Sequence, residues 1–354
     1  MKILRLIIIG IIVVGAISFW IFYESSLQIS DKEKFSKPIV EQAVNHTQLA
    51  KLFGINNMNS SDSTNNEDRV DLYDWSKDGK FIIAGFHISH KNYLVSIDPS
   101  GTMLEKLNIG QLDGFYPARI SPSGNYVLFS GVKLDAQGEV QNLYLYDMVA
   151  KTMKQLTNNT EHDFGRPQST QIQYYGWTPD GNIIYNEENG FSVPTPIGSG
   201  SFSLWKVDMT GKKLGQLCYS INYFGNPNFK SSPNSCSFAE MDISPDGKEI
   251  SFADNPHIGI FHMDTNQTTT VANFYNDFGA TTKWIPNSSA IVYDEFTDEN
   301  THEWKLGIMS MDGSFNKMIY SIRWGNDGFP VVSSDGKYIM FTNTDNDIMR
   351  IRFG

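Results

Sequence analysis

One pattern, W/I-S-x-D/S-G-x-x-I/V-x-F in its fullest form, occurs six times along the chain. The copies read DWSKDGKFIIAGF from Asp74, RISPSGNYVLFSG from Arg119, GWTPDGNIIYNE from Gly176, DISPDGKEISFAD from Asp242, KWIPNSSAIVYDE from Lys283 and VSSDGKYIMFTN from Val332. The turn markers Gly79, Gly124, Gly181, Gly247, Ser288 and Gly336 are 45, 57, 66, 41 and 48 residues apart, the spacing of a constant unit with loop insertions.

Each copy continues into a second alternating strand that ends in Asp and a turn: YLVSIDPSG, NLYLYDMVAK, SLWKVDMTGK, GIFHMDTNQ, GIMSMDGSF and, at the C-terminus, DIMRIRFG. A further short strand follows, as at Leu104–Leu107, Met153–Leu156 and Lys317–Tyr320. Gly supplies the positive φ of the turns, while Ile, Val, Tyr and Phe populate the pleated segments. Four antiparallel strands repeated six times is the arithmetic of an all-β, six-bladed β-propeller, whose blades bury their faces only by stacking around a channel. The last copy stops after three strands, so its fourth must come from elsewhere; Thr47–Ile55 is the expected donor, although Leu49–Phe53 also reads as a short helix.

Ahead of the repeats, Leu6–Tyr23 is an 18-residue stretch without a charge, long enough to cross a bilayer core. Lys2 and Arg5 precede it and Trp20, Phe22 and Tyr23 end it, which orients the N-terminus to the cytoplasm. Cleavage as a signal peptide is the other reading, but the bulky exit favours an uncleaved anchor. The expected organisation is a transmembrane anchor at 1–23, a stalk at 24–46 and a propeller at 47–354, single-pass in a bacterial-type cytoplasmic membrane with the propeller periplasmic or at the cell surface. The chain carries a net charge of −11, or −13 without Lys2 and Arg5, and has no basic stripe, which argues against a nucleic-acid partner.

The SPDGK…I-x-F element, clearest at Ser244–Lys248, Thr178–Gly181 and Ser333–Lys337, resembles the WD-like repeat of TolB-type propellers and of the propellers in the dipeptidyl peptidase and prolyl oligopeptidase families. The resemblance runs from about residue 48 to 354 and implies the fold rather than an activity. Two departures accompany it. The stalk is too short for the additional α/β domain that TolB carries, and no G-x-S-x-G nucleophile elbow of the peptidases occurs.

In such a ring, loops between second and third strands, and between consecutive blades, gather at one end. The long insertions, 132–141, 160–173, 186–203, 219–240 and 294–304, all fall in those two classes. Function is expected there. The candidate binding residues are Asp113, Phe115, Tyr116, His162, Asp163, Tyr175, Phe191, Tyr223, Phe224, Asp277, Phe278, Trp324, Asp327 and Phe329, set among further acids including Glu187, Glu188, Asp294 and Glu295. Flat rings interspersed with carboxylates suit a protein, peptide or glycan partner. The alternative for the rings is to plug the gaps between blades.

Asp68, Asp113, Asp277 and Asp327 precede the turn markers at similar spacing, with Asp163 farther off. They read either as a partial acidic ring able to attract a cation, such as calcium, or a basic segment, or as caps on loop N–H groups, the latter preferred. No cofactor is expected beyond that calcium, and the metal ligands are unassigned. The competing activity is a hydrolase or lyase with a channel-mouth site using these acids and His162. Its readable signature is missing, because His87 and His90 lie on opposite faces of a strand and no Ser/His/Asp spacing occurs. Cys218 and Cys236 bracket the largest between-blade insertion and are a disulfide candidate outside the cytoplasm.

Overall fold

The computed structural model describes residues 38–44, 69–88, 91–136, 138–160, 170–172, 174–189, 198–224, 239–254, 257–273, 281–298, 303–323, 330–343 and 346–353. The chain divides into two compact units, Glu41–Arg350 and Met1–Val40 with Ile351–Gly354. The first carries the propeller. Of the second, the described residues are the strand ends Ile39–Val40 and Ile351–Arg352 with their neighbours Pro38 and Phe353. The anchor expected at 1–23 lies outside the described residues, and no described helix is long and apolar enough to cross a membrane.

Six antiparallel sheets follow one another in sequence. Blade 1 runs through Arg69–Trp75, Ile82–Ile88, Lys91–Ile97 and Met103–Lys106, from innermost to outermost strand. Blade 2 has Tyr126–Asp135, Gly138–Asp147 and Thr152–Gln155 outside an innermost strand split into Gly114–Phe115 and Arg119–Ile120. Pro117, which has no N–H to give a ladder, sits in that break. Blade 3 is split the same way, with Thr170–Gln171 and Tyr175–Trp177 inside Ile183–Asn189, Gly198–Val207 and Lys213–Phe224. Blade 4 comprises Ala239–Ile243, Glu249–Asp254, His257–His262 and Gln267–Asn273; blade 5 comprises Thr282–Trp284, Ala290–Asp298, Glu303–Ser310 and Asn316–Arg323.

Blade 6 holds Val331–Val332, Tyr338–Thr342 and Ile348–Arg352, and its outermost strand is Ile39–Val44. The closing strand therefore lies inside the segment read as stalk, not at Thr47–Ile55, which falls outside the described residues. Val44 explains the choice: it is 3% exposed and packs on Gly101, where a Cβ would stand 2.1 Å from its methyl. Each innermost strand touches the next and the sixth touches the first, so the ring is closed.

The core is a set of seams between blades. One cluster joins blades 1 and 6 through Val70, Leu72, Val331 and Met340; another joins blades 1 and 2 through Tyr73, Ile83, Phe115 and Phe129. Further seams link blades 2 and 3, 3 and 4, and 4 and 5. Each buried Leu, Ile or Phe adds about 1.5–3 kcal/mol, so no blade is stable apart from its neighbours.

The repeat's Asp residues build its turns. In blade 1 the Ser76 hydroxyl donates to Asp78 Oδ1 at 2.8 Å and accepts from the Phe81 amide at 3.0 Å, with Gly79 at φ 74°. Ser244 with Asp246 and Ser333 with Asp335 repeat the arrangement at 2.7 Å. Blade 5 departs from it, carrying Ser288 at φ 60° in the glycine position.

Candidate functional site

The residue just before the Trp, Ile or Val of each repeat copy is next to last in its innermost strand, at the channel. Around the ring these are Asp74, Arg119, Gly176, Asp242, Lys283 and Val331, a charge order of minus, plus, none, minus, plus, none. The order gives the ring an approximate two-fold pattern, and a pair of carboxylate–amide contacts follows it. Asp74 Oδ2 of blade 1 accepts the Ile120 amide of blade 2 at 2.7 Å, and Asp242 Oδ2 of blade 4 accepts the Trp284 amide of blade 5 at 2.9 Å. The Trp177 indole donates to Arg119 O and the Trp284 indole to Asp242 O, each at 3.1 Å and each to the preceding blade.

These residues, with Trp75, Lys77 and the prolines of the following turns, line a cavity of about 330 Å³. It lies where the innermost strands run into the Asp-Gly turns, so it is at the end opposite to the long insertions. Lys283 Nζ is 3.0 Å from Asp242 Oδ1, with the two side chains 8% and 17% exposed. Asp74 Oδ1 accepts the Trp75 amide at 3.0 Å. Burial pushes the Asp74 carboxyl up from its usual range, against the pull of Lys283 and Arg119. Arg119 gives Nη1 to Tyr73 O at 3.0 Å and to Ala118 O at 3.5 Å.

A second polar cluster lies in blade 1. Asp71 Oδ2 is 3.0 Å from Arg69 Nε and 3.1 Å from His87 Nε2. The other ring nitrogen, Nδ1, is 2.6 Å from Asn92 Oδ1, and Asn92 Nδ2 donates to Asp113 O at 2.9 Å. Tyr73 OH lies 3.4 Å from His87 Nε2, and burial, then Asp71, pushes that phenol far up. His87 is thus held between a carboxylate and an amide oxygen, committed to blade 1 rather than offered to a metal.

Of the sequence-predicted residues, Asp113 accepts the Leu134 amide at 2.7 Å, which is the capping alternative. Phe115 is 8% exposed and meets Tyr73 edge-on at 6.2 Å, inside the seam between blades 1 and 2. Tyr175 is 3% exposed; its hydroxyl donates to Pro117 O at 2.6 Å and accepts the Ser130 amide at 2.8 Å, which bolts blade 3 to blade 2. Burial pushes up the half-buried Tyr116 phenol, with Glu139 adding to the shift. Tyr223 and Phe224 lie in the outermost strand of blade 3, opposite Ser199 and Gly198. His162, Asp163, Phe191, Asp277, Phe278, Trp324, Asp327 and Phe329 lie outside the described residues.

Glu188, counted among the acids of that face, is 8% exposed, and burial raises its carboxyl to about 7. Among the described residues, no group of three or more His, Cys, Asp or Glu is placed to hold a metal ion. Cys218 is disulfide-bonded, and the chain's one other cysteine, Cys236, lies outside the described residues.

The ring Asp74–Arg119–Asp242–Lys283 was not singled out from the sequence. Its signal was the first letter of each repeat copy, where D, R, G, D and K stand at a position that should face the interior.

No protein-family model matches the chain, and no curated protein matches it. Solved structures do. A putative TolB from Agrobacterium tumefaciens superposes with a TM-score of 0.53 at 16% identity, over 81% of this chain and 91% of that one. TolB from Acinetobacter baumannii gives 0.48 at 13% identity, over 80% of this chain and 63% of that one. An oligogalacturonate lyase from Vibrio parahaemolyticus gives 0.52 at 12% identity, over 89% and 98%. The chain has the six-bladed β-propeller fold found in TolB-type proteins.

Proposed function

We propose that the chain is an extracytoplasmic binding propeller, tethered by residues 1–23, that takes a short segment of a protein partner into the turn-end mouth of its channel. The observation that carries this reading is the preformed cavity itself. Asp74, Asp242 and the indoles of Trp177 and Trp284 are locked by hydrogen bonds between blades before any ligand arrives, so little ordering cost is left for binding. Two of its three serine hydroxyls are committed to turns, Ser244 bonding Asp246 and accepting the Glu249 amide at 2.9 Å and Ser121 accepting the Tyr126 amide at 3.0 Å, and no histidine lines the site to activate the third, Ser334. The TolB-type neighbours support the same reading by fold.

The test places a photo-cross-linking residue at position 77 or 334, at the cavity mouth, or at 136 or 139, at the insertion-bearing end. Each full-length variant is expressed in its native membrane. A discrete adduct from the first pair is the expected result. Adducts from the second pair alone would move the site to the insertion-bearing face, and none from either would remove the binding reading.

One observation favours a second reading, a lyase acting at the other end. Glu188 titrating near 7 has the poise of a general acid or base, and a lyase shares this fold. Formation of an unsaturated product from an acidic oligosaccharide, lost in Glu188→Gln, would establish it.

A further inference from the structure

We propose that the turn-end cavity recognises a single carboxylate carried on a flat apolar body, with Arg119 as the anchor. The proposal rests on the reading that this cavity is a binding site, and adds what it binds.

The charge balance comes first. Lys77, Arg119 and Lys283 face Asp74 and Asp242 across the cavity, leaving it one positive charge in excess within a chain of net −11. A site whose sign opposes that of its protein selects anions. The excess is one charge, and two carboxylates already stand in the wall, so a monoanion fits and a dianion is disfavoured.

The hydrogen-bond commitments then single out one cation. Lys283 is spent on Asp242. Both oxygens of Asp74 and both of Asp242 already accept from protein donors. Arg119 differs, because only its Nη1 donates, and to backbone carbonyls that do not neutralise it. Its Nε and Nη2 make no hydrogen bond to any described residue and it forms no ion pair among them. Those two parallel N–H groups are the edge of a guanidinium that takes a carboxylate bidentately. Lys77, exposed at the mouth, adds attraction without geometry.

The apolar half of the ligand is set by the collar. Trp75, Trp177 and Trp284 stand around the same space, each with its indole N–H tied to a backbone carbonyl, so the rings cannot swing away. About 330 Å³ is the small end of ligand pockets, which run about 300–1,000 Å³. That admits one ring or one terminal side chain beside its carboxylate. The chemistry has two sources: a free aromatic carboxylate, or the C-terminal carboxylate of a partner ending in an apolar residue.

The experiment is calorimetric titration of the full-length chain in an uncharged detergent. One arm compares indole-3-propionate with its amide. The other compares a hexapeptide ending in Phe with the same peptide amidated. At least one acid is expected to bind about tenfold or more tighter than its amide, with affinity falling as salt rises. The arm with the tighter acid identifies the source. Arg119→Gln should abolish the preference, and Arg119→Lys, which keeps the charge but not the fork, should lose most of it while unfolding like the parent. Equal binding of acid and amide overturns the proposal and leaves the cavity a binding site. Failure of both acids to bind overturns it too, and the cross-links at position 77 then decide separately whether the cavity binds anything.

Discussion

The Lys283 ammonium of blade 5 lies 3.0 Å from the Asp242 carboxylate of blade 4, with both side chains largely withdrawn from water. The same carboxylate holds the Trp284 amide, so one acid of blade 4 fastens two donors of blade 5. Losing one member of a buried pair strands the other, at a cost of about 3–5 kcal/mol. Lys283→Met should lower the unfolding free energy by about 3 kcal/mol in urea titration. The double variant Asp242→Asn/Lys283→Met should recover part of that, since no unpaired charge is left behind. A double variant as weak as the sum of its singles would mean that the two groups do not act as a pair.

Gly307 has a sharper role than a flexible link. It pairs across strands with Tyr293, and a Cβ there would stand 2.4 Å from the Tyr293 ring. That ring is 1% exposed and fixed by its hydroxyl, which donates to Asn316 Oδ1 at 2.6 Å. Gly259 beneath Phe252 repeats the arrangement in blade 4 at 2.3 Å. Gly307→Ala should therefore cost about 1–3 kcal/mol by overpacking. Gly215→Ala, where nothing lies within 4 Å, is the control and should be neutral or slightly stabilising by thermal melt.

The fold was legible because each repeat states its own turns and pleats, from Ser76-Lys77-Asp78-Gly79 to Ser333-Ser334-Asp335-Gly336. The channel ring was not, for a physical reason: Asp74, Arg119, Asp242 and Lys283 share a position but not a residue type. A search for likeness between copies discards such a column, and its pattern appears only once the blades are closed on one another. Phe115 and Tyr175 show the converse. Their spacing before the turn marks a place in the blade but not which side the ring takes, and both rings fill seams. Ile39–Val44 read as stalk because its exposed Glu41 and Gln42 dilute the alternation that ends in buried Val44.

Two carboxyls give the stability a pH profile with opposite slopes. The Thr178 hydroxyl, aided by Asn182 and Lys206 and opposed by burial, holds Asp180 down to about 2. Its contribution is present above the ordinary carboxylate range and is lost as pH falls toward 2. Burial raises Glu188 to about 7, so the folded state there binds a proton that the unfolded chain has released. Stability from Glu188 is full below about 4.5 and is lost as pH rises through 7. Glu188→Gln should match the parent near pH 4.5 and exceed it at pH 8 by up to about 3 kcal/mol, read from chemical unfolding at both values. Parallel profiles would show that Glu188 titrates normally.

The ring closes on a strand borrowed from far away in sequence, and that makes the closure testable. Ile39–Val44 forms the outer strand of blade 6, where Glu41 is 2.7 Å from Arg350 Nη2 and Val44 is buried beside Gly101 of blade 1. The ion pair is half exposed and adds little, whereas Val44 supplies a buried apolar side chain worth about 1.5–3 kcal/mol and the strand satisfies an otherwise open edge. A chain beginning at Pro38, which keeps the strand, is the reference. A chain beginning at Asn45 should melt several degrees lower and associate through its bare edge, seen as larger species by size-exclusion chromatography with light scattering. Val44→Asp in the full-length chain should reproduce the loss of melting temperature with the strand still present, because it buries an unpaired carboxylate against Gly101. Equal melting of all three would mean that closure does not depend on this strand and that blades 1 and 6 are held by their shared apolar seam alone.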